Sequence, residues 1–271
     1  MVNRPPEVFI AGANAEIGNA LLRNFAADGW RVGGTYRHAS PELAGAPASA
    51  DPFFVACDFS APGAASEVAE RYARTGRQWD VFVSAVGTML PVGAFMETPF
   101  ADWERGLRVN LVSQLELVHR LYPHRRPGGI AHVVFLAGGG TNGPFRNYSA
   151  YCLSKIGLIK ACELLDDECP DMNAFIVGPG WVRTKIHDET LASGARAGEN
   201  LERTRRFLDS GAAGTAHDTI YRCVRWGIEA GRGVAGGRNF SVVHDPWGAA
   251  DFSARLKADE NLCKLRRRNP L

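Results

Sequence analysis

The chain has 271 residues, with 31 Lys+Arg against 29 Asp+Glu and a formal charge of +2, too even a balance to imply a nucleic-acid or membrane-surface partner. Hydrophobic residues at 45% and charged residues at 22% exclude a disordered chain. At roughly 100–200 residues per domain, one large domain over the whole chain is expected. The longest apolar runs, such as 130–137, are strand-length and well short of a membrane helix, and the start of the chain shows no signal-peptide pattern. A cytoplasmic protein is expected.

Taken in chain order, Glu7-Val-Phe-Ile-Ala11 reads as a strand and runs into a glycine turn, Gly12 to Gly18. Ile17, Leu21, Leu22 and Phe25 then recur at helical spacing up to Gly29. Further strands are predicted at 31–36, 53–57, 79–84, 130–136, 174–177 and 240–243, with helices at 66–74, 99–122 and 149–168 between them. Strands alternating with helices predict a Rossmann-type, doubly wound, mostly parallel seven-stranded sheet with helices on both faces. A polar, Gly-rich insertion follows the sixth strand at about 185–216. Ligands in such sheets sit beyond the carboxyl ends of the strands, so this insertion is expected to be a substrate lid.

Cys57, Cys152, Cys162, Cys169, Cys223 and Cys263 form no C-x-x-C pair and have no histidines at zinc-ligand spacing. They read as small packed hydrophobes, and no metal site is expected. His119, His124 and His132 are read as solvated or capping residues on the long 99–122 helix or its exit. His187 and His217 flank the lid. The basic run 264–268 reads as a solvated terminus or subunit contact.

Two motifs carry chemistry. Gly12-Ala-Asn14-Ala-Glu-Ile17-Gly18 lies where a first strand turns into a first helix. A dinucleotide pyrophosphate needs a sharp turn, close backbone approach and free N–H groups at a helix start there. Tyr151-Cys-Leu-Ser-Lys155 places a phenol and an ammonium at i and i+4 on one helix face. A nearby lysine cation lowers a tyrosine pKa from about 10 and makes the phenol usable for proton transfer.

With these motifs the chain resembles the short-chain dehydrogenase/reductase family along nearly its whole length. Tyr151 and Lys155 match that family's YxxxK motif, and Asn110 in Arg-Val-Asn-Leu matches the asparagine that helps hold a proton-relay water. Pro179-Gly180-Trp-Val182-Arg-Thr184 matches the segment that binds the nicotinamide carboxamide, and Asp58 matches the acidic residue beside the adenine. Ser84-Ala85-Val86-Gly87 stands where the family has NNAG and keeps only its glycine. The resemblance implies an NAD(P)-dependent oxidoreductase that interconverts a secondary alcohol and a ketone on a small-molecule substrate. It also implies a homodimer or homotetramer built through the helices at 99–122 and 149–168. Arg37 stands at the end of the second strand, where NAD-binding relatives carry a carboxylate, so NADP(H) is expected over NAD(H).

The chain departs from the family twice. The catalytic serine lies 12–13 residues before the tyrosine in the family, and those positions are Gly139 and Gly138 here. Thr141 is the nearest hydroxyl and is expected to take the serine's role, with Asn142 or backbone N–H groups of the glycine run as alternatives. The glycine turn, read as GxxGxxG with Ala15 in the middle, puts Glu16 on the helix exterior, away from the pyrophosphate. A GGGTN stretch and the segment from Gly237 to Trp247 resemble a bacterial subgroup connected with sugars and cell-surface polysaccharides, implying a sugar-like or secondary-metabolite substrate. The missing serine keeps open redox-neutral chemistry (epimerisation, dehydration or cyclisation) and a non-catalytic, cofactor-binding role.

Overall fold

The computed structural model describes residues 4–39, 43 and 47–267. Residues 1–3, at the start of the stretch read for a leader, and Arg268, the end of the basic run, lie outside them. Seven strands form one sheet: β1 (Glu7–Ala11), β2 (Arg31–Tyr36), β3 (Phe53–Ala56), β4 (Val81–Ser84), β5 (Ala131–Leu136), β6 (Met172–Gly178) and β7 (Asn239–Ser241). Their order is β3-β2-β1-β4-β5-β6-β7. Every pairing between them is parallel, so the "mostly" of the sequence reading can be dropped. The order reverses between β1 and β4, and the crevice at that switch point opens at the strands' carboxyl ends.

The helices are α1 (Glu16–Ala27), α2 (Ala64–Arg74), α3 (Phe100–Leu107), α4 (Ser113–Leu121), α5 (Ser149–Glu168), α6 (Ile186–Ala192), α7 (Glu199–Asp209), α8 (His217–Ala230), α9 (Arg232–Ala235) and α10 (Ala250–Ala258). Side chains alternate across the sheet, so each strand feeds two cores. Val8, Ile10, Val134, Phe175 and Val177 face Leu21, Leu22 and Phe25 of α1 and Ile220 and Val224 of α8. Phe9, Val133, Phe135, Ala174 and Ile176 face Val68 and Tyr72 of α2, Leu117 and Leu121 of α4 and Leu158 of α5. Among the described residues, no helix is long and apolar enough to cross a membrane.

Several boundaries differ from the sequence reading. The helix expected at 99–122 is interrupted: α3 widens into a π turn, Arg108–Val112, before α4 continues. Asn110, at its centre, is fully buried and bonds backward to Thr88, which this local widening accommodates. Trp79 precedes β4 and meets Arg125 in an isolated bridge, and β7 is shorter than expected. The 185–216 insertion holds two helices, α6 and α7. His132 does not sit at a helix exit: it lies in β5, where its Nδ1 meets the Asn173 amide at 3.0 Å and burial brings its pKa down to about 4.

The charge at the start of β1 is structural. Glu7 is fully buried, and its Oε1 accepts the Tyr72 hydroxyl at 2.8 Å and Arg77 Nε at 2.9 Å. Arg31 stands 3.4 Å from the other oxygen. This knot ties β1, β2 and α2 together below the sheet, opposite the cleft. Replacing Glu7 with Ala leaves the buried Arg77 with the exposed Asp51 carboxylate, 3.3 Å away, as its remaining counter-charge and should cost about 2–4 kcal/mol, read as a lowered midpoint in urea unfolding.

Candidate active site

The crevice at the switch point is a cleft of 880 Å³. Its walls combine the start of α1, the ends of β4, β5 and β6, the 138–145 loop and the helices α6 and α7 of the 185–216 insertion. Gly12 carries φ +77°, which lets the chain turn sharply after β1. A Cβ on Gly18 would lie 2.1 Å from the Gly12 carbonyl oxygen, so only glycine lets α1 start this close to the turn. No side chain caps the α1 N-terminus, whose first N–H groups therefore remain open to an anion. This cradle fits a dinucleotide pyrophosphate. Ala15, Glu16 and Ile17 line it, and Asn14 holds its neighbour β2 by donating Nδ2 to the His38 carbonyl at 2.7 Å.

Glu16 does not simply face away. It is exposed, but its Oε1 reaches over the cleft rim to accept the Lys185 N–H at 3.0 Å, at the start of the lid. Arg37 is exposed beyond the end of β2. Asp58, just past β3, accepts the Ser60 N–H at 2.9 Å, and that bond holds its carboxyl below the usual range, with Arg37 contributing. Ala85 and Gly87 line the cleft, but Ser84 does not: its hydroxyl is buried and donates to Gln114 Oε1 at 2.7 Å. Pro179, Gly180, Val182 and Thr184 all line the cleft after β6.

Tyr151 and Lys155 share the buried face of α5, as the i,i+4 spacing predicts. Lys155 Nζ donates to the Leu136 carbonyl at 2.7 Å, the last residue of β5, and stands 5.6 Å from the Tyr151 ring centroid. The expected lowering of the tyrosine pKa is not what this arrangement produces. Burial pushes the Tyr151 hydroxyl well above its ordinary value, with the neighbouring Cys152 thiol and the Glu189 carboxylate adding to it. Burial also brings Lys155 down to about 8. Asn110 does not line the cleft: its Oδ1 accepts the Thr88 N–H and its Nδ2 donates to the Thr88 carbonyl, each at 2.9 Å. Its side chain thus fixes the 87–89 loop. Thr141 lines the cleft at its rim, and Asn142 is exposed beside it.

Two features escaped the sequence reading. Glu189 Oε2 accepts the Thr88 hydroxyl at 3.0 Å and the Met89 N–H at 2.6 Å, latching α6 onto the loop that Asn110 holds. His187, expected to flank the 185–216 insertion, is buried, donates Nε2–H to the Val182 carbonyl at 2.9 Å, and stacks on Trp181 with ring centroids 5.5 Å apart. His217 begins α8 and does not line the cleft. All six cysteines are free, and Cys57, Cys162 and Cys223 are buried as expected of small hydrophobes.

A parallel, doubly wound sheet with this glycine turn and a Tyr-x-x-x-Lys helix defines a dinucleotide-dependent dehydrogenase/reductase class. Residues 12–214 match the family model described as enoyl-(acyl carrier protein) reductase, and the chain belongs to the short-chain dehydrogenase/reductase family. It is 28% identical over 155 residues to the serine 3-dehydrogenase of Rhizobium radiobacter, covering 52% of this chain and 62% of that protein. It is 26% identical over 202 residues to the 3-oxoacyl-(acyl-carrier-protein) reductase MabA of Mycobacterium tuberculosis, covering 71% of this chain and 78% of that one. A short chain dehydrogenase/reductase from Saccharomyces cerevisiae superposes with a TM-score of 0.76 at 21% identity, over 91% of this chain and 99% of that chain. These relatives are oxidoreductases, and the family binds NAD(P).

The depressed Lys155 has a readable consequence. Below about pH 8 the folded state carries its charge at a constant penalty, because burial disfavours the ammonium. Between about 8 and the ordinary 10.5 the unfolded chain holds a proton that the folded one releases, so this contribution to stability rises with pH. Above 10.5 both states are neutral and the penalty is gone. Unfolding curves of Lys155→Met and the native protein should converge, or cross in the native protein's favour, as pH climbs through that window.

Proposed function

We propose that the protein is a cytoplasmic NADP(H)-dependent reductase that converts a small polar ketone to a secondary alcohol, with Tyr151 as the proton donor. The observation that carries this reading is the buried Tyr151–Lys155 pair on the cleft floor with the phenol pushed up by desolvation. A phenol held protonated at neutral pH is an acid, which suits reduction better than oxidation. Held by the cradle at the start of α1 and the 179–184 segment, a nicotinamide dinucleotide would supply the hydride for the carbonyl carbon. As charge builds on the carbonyl oxygen, Tyr151 gives it the hydroxyl proton, and the alcohol forms with its new O–H bond. Lys155, protonated below about pH 8, stabilises the phenolate that remains. The Thr141 hydroxyl at the rim is the second donor toward that oxygen, in the role a serine has in the family.

The cofactor-holding residues follow from the cradle. Gly12, Ile17 and Gly18 take the pyrophosphate, Asp58 the adenine side, and Pro179, Gly180, Val182 and Thr184 the carboxamide. Asn110 acts through Thr88 and the 87–89 loop. Asn200, Arg203 and Thr204 from the lid face the cleft alongside Met89 and Phe145, which supports a substrate with polar, sugar-like substituents around the reacting carbonyl. Val112 of the π turn and Leu153 and Leu164 of α5 are half-exposed apolar side chains, which supports assembly of copies through these helices.

Tyr151→Phe removes only the proton donor. Turnover should fall by about a hundredfold to ten-thousandfold, while dinucleotide affinity, followed by nicotinamide fluorescence, stays close to that of the native protein. Near-native turnover would overturn the assignment. Arg37→Gln removes one charge-assisted pairing with a 2′-phosphate, worth roughly 1.5–3 kcal/mol. Titration of the two dinucleotides should therefore show NADPH weakened about tenfold to a hundredfold and NADH little changed.

A further inference from the structure

Position 138 shows why the serine is missing. A Cβ placed on Gly138 would lie 2.0 Å from the Tyr151 hydroxyl, 2.5 Å from its Cζ and 2.8 Å from Cε1. The phenol has little room to withdraw: it is 5% exposed, in a cluster with Val92, Tyr148 and Ala197 against Met89, Phe145 and Cys152. Its helix is held from below by the bond of Lys155 to the end of β5. The neighbouring glycine is different. A Cβ on Gly139 would meet only the Phe145 ring, at 3.7–3.9 Å, which is ordinary contact. Gly138 is not among the residues with a left-handed backbone, so the obstacle there is the tyrosine and not φ.

We propose that Gly138 is a positioning residue for Tyr151: the hydroxyl occupies the volume that a side chain at 138 would need, and the two are alternatives for one seat. Restoring a serine at 138 therefore disables this site, whereas a serine at 139 is accepted. The proposal rests on Tyr151 as proton donor for its effect on turnover, but the steric coupling stands independently of the reaction.

The test is a double-mutant cycle on melting temperature together with steady-state kinetics, using the full chain. Gly138→Ala should lower the melting temperature by about 2–12 °C, the range for overpacking in a chain of this size. In a Tyr151→Ala background, with the seat vacated, the same change should cost nothing or raise it. Gly138→Ser should lose at least about tenfold in kcat with KM and dinucleotide affinity nearly unchanged, and Gly139→Ser should keep most of its turnover. If Gly138→Ala fails to fold, recovery of a folded Gly138→Ala/Tyr151→Ala protein supports the coupling and failure to recover overturns it. A melting penalty of equal size in both backgrounds, or a Gly138→Ser enzyme as fast as the native one, also overturns it. The melting cycle needs no substrate, so inactivity of Tyr151 in turnover would sink the proposed reaction and leave the cycle to decide the coupling.

Discussion

The bond from Lys155 Nζ to the Leu136 carbonyl is the constraint around which the cleft is arranged. It joins the second turn of α5, on that helix's buried face, to the last residue of a central strand, and an ammonium in such surroundings is tolerated only while hydrogen-bonded. With Lys155 fixed, the helical period fixes Tyr151 one turn earlier. Leu136 pairs with Val177 in the parallel register of β5 and β6, so the chain leaving each strand enters the cleft at the same level. The 138–145 loop and the 178–184 segment are therefore neighbouring parts of the cleft wall set by one ladder.

The 185–216 insertion is held by a second set of contacts built from carboxylates. Thr88 is their junction: its backbone is bonded at both the N–H and the carbonyl by buried Asn110, and its hydroxyl is taken by Glu189 of α6. Glu16 makes a matching contact four residues before Glu189, by accepting the Lys185 N–H. Of the two, Glu16 lies at the uncapped N-terminus of α1. A pyrophosphate placed there would gain from the helix dipole but would meet the carboxylate of the first residue of that helix. The residue that departs most from the family's glycine pattern is thus a strut between α1 and the 185–216 insertion.

The fold was legible because its signals are periodic. Runs such as Val133–Val134–Phe135 must be buried on both faces, and only a parallel sheet between helix layers does that. The glycines at 12 and 18 and the Tyr-x-x-x-Lys spacing were legible for the same reason: each encodes a local geometry. What could not be read depends on contacts distant in sequence. Asn110 bonds to a residue 22 positions earlier, and Glu189 to one about a hundred positions away; no window on the sequence joins them. The direction of the Tyr151 shift was misread for a related reason. Spacing puts the lysine near the phenol, but burial of both groups, which outweighs their proximity, emerges only once the sheet and lid close around them.

Those two shifts have a joint meaning. Desolvation moves an acid up and a base down, so the phenol and the ammonium are driven toward their neutral forms together. At neutral pH the tyrosine is firmly protonated, and the lysine, at about 8, still holds its proton but not by a wide margin. The pair therefore carries a full complement of protons at neutral pH, and in the proposed reduction charge developing on a substrate oxygen would be met by a donor whose own anion has an adjacent cation. In the same low-dielectric floor each such interaction is stronger than it would be in water. The Tyr151 hydroxyl stands where a Cβ at position 138 would lie, 2.0 Å away, so the absence of a side chain in the glycine run and the depth of the phenol are two sides of one packing arrangement.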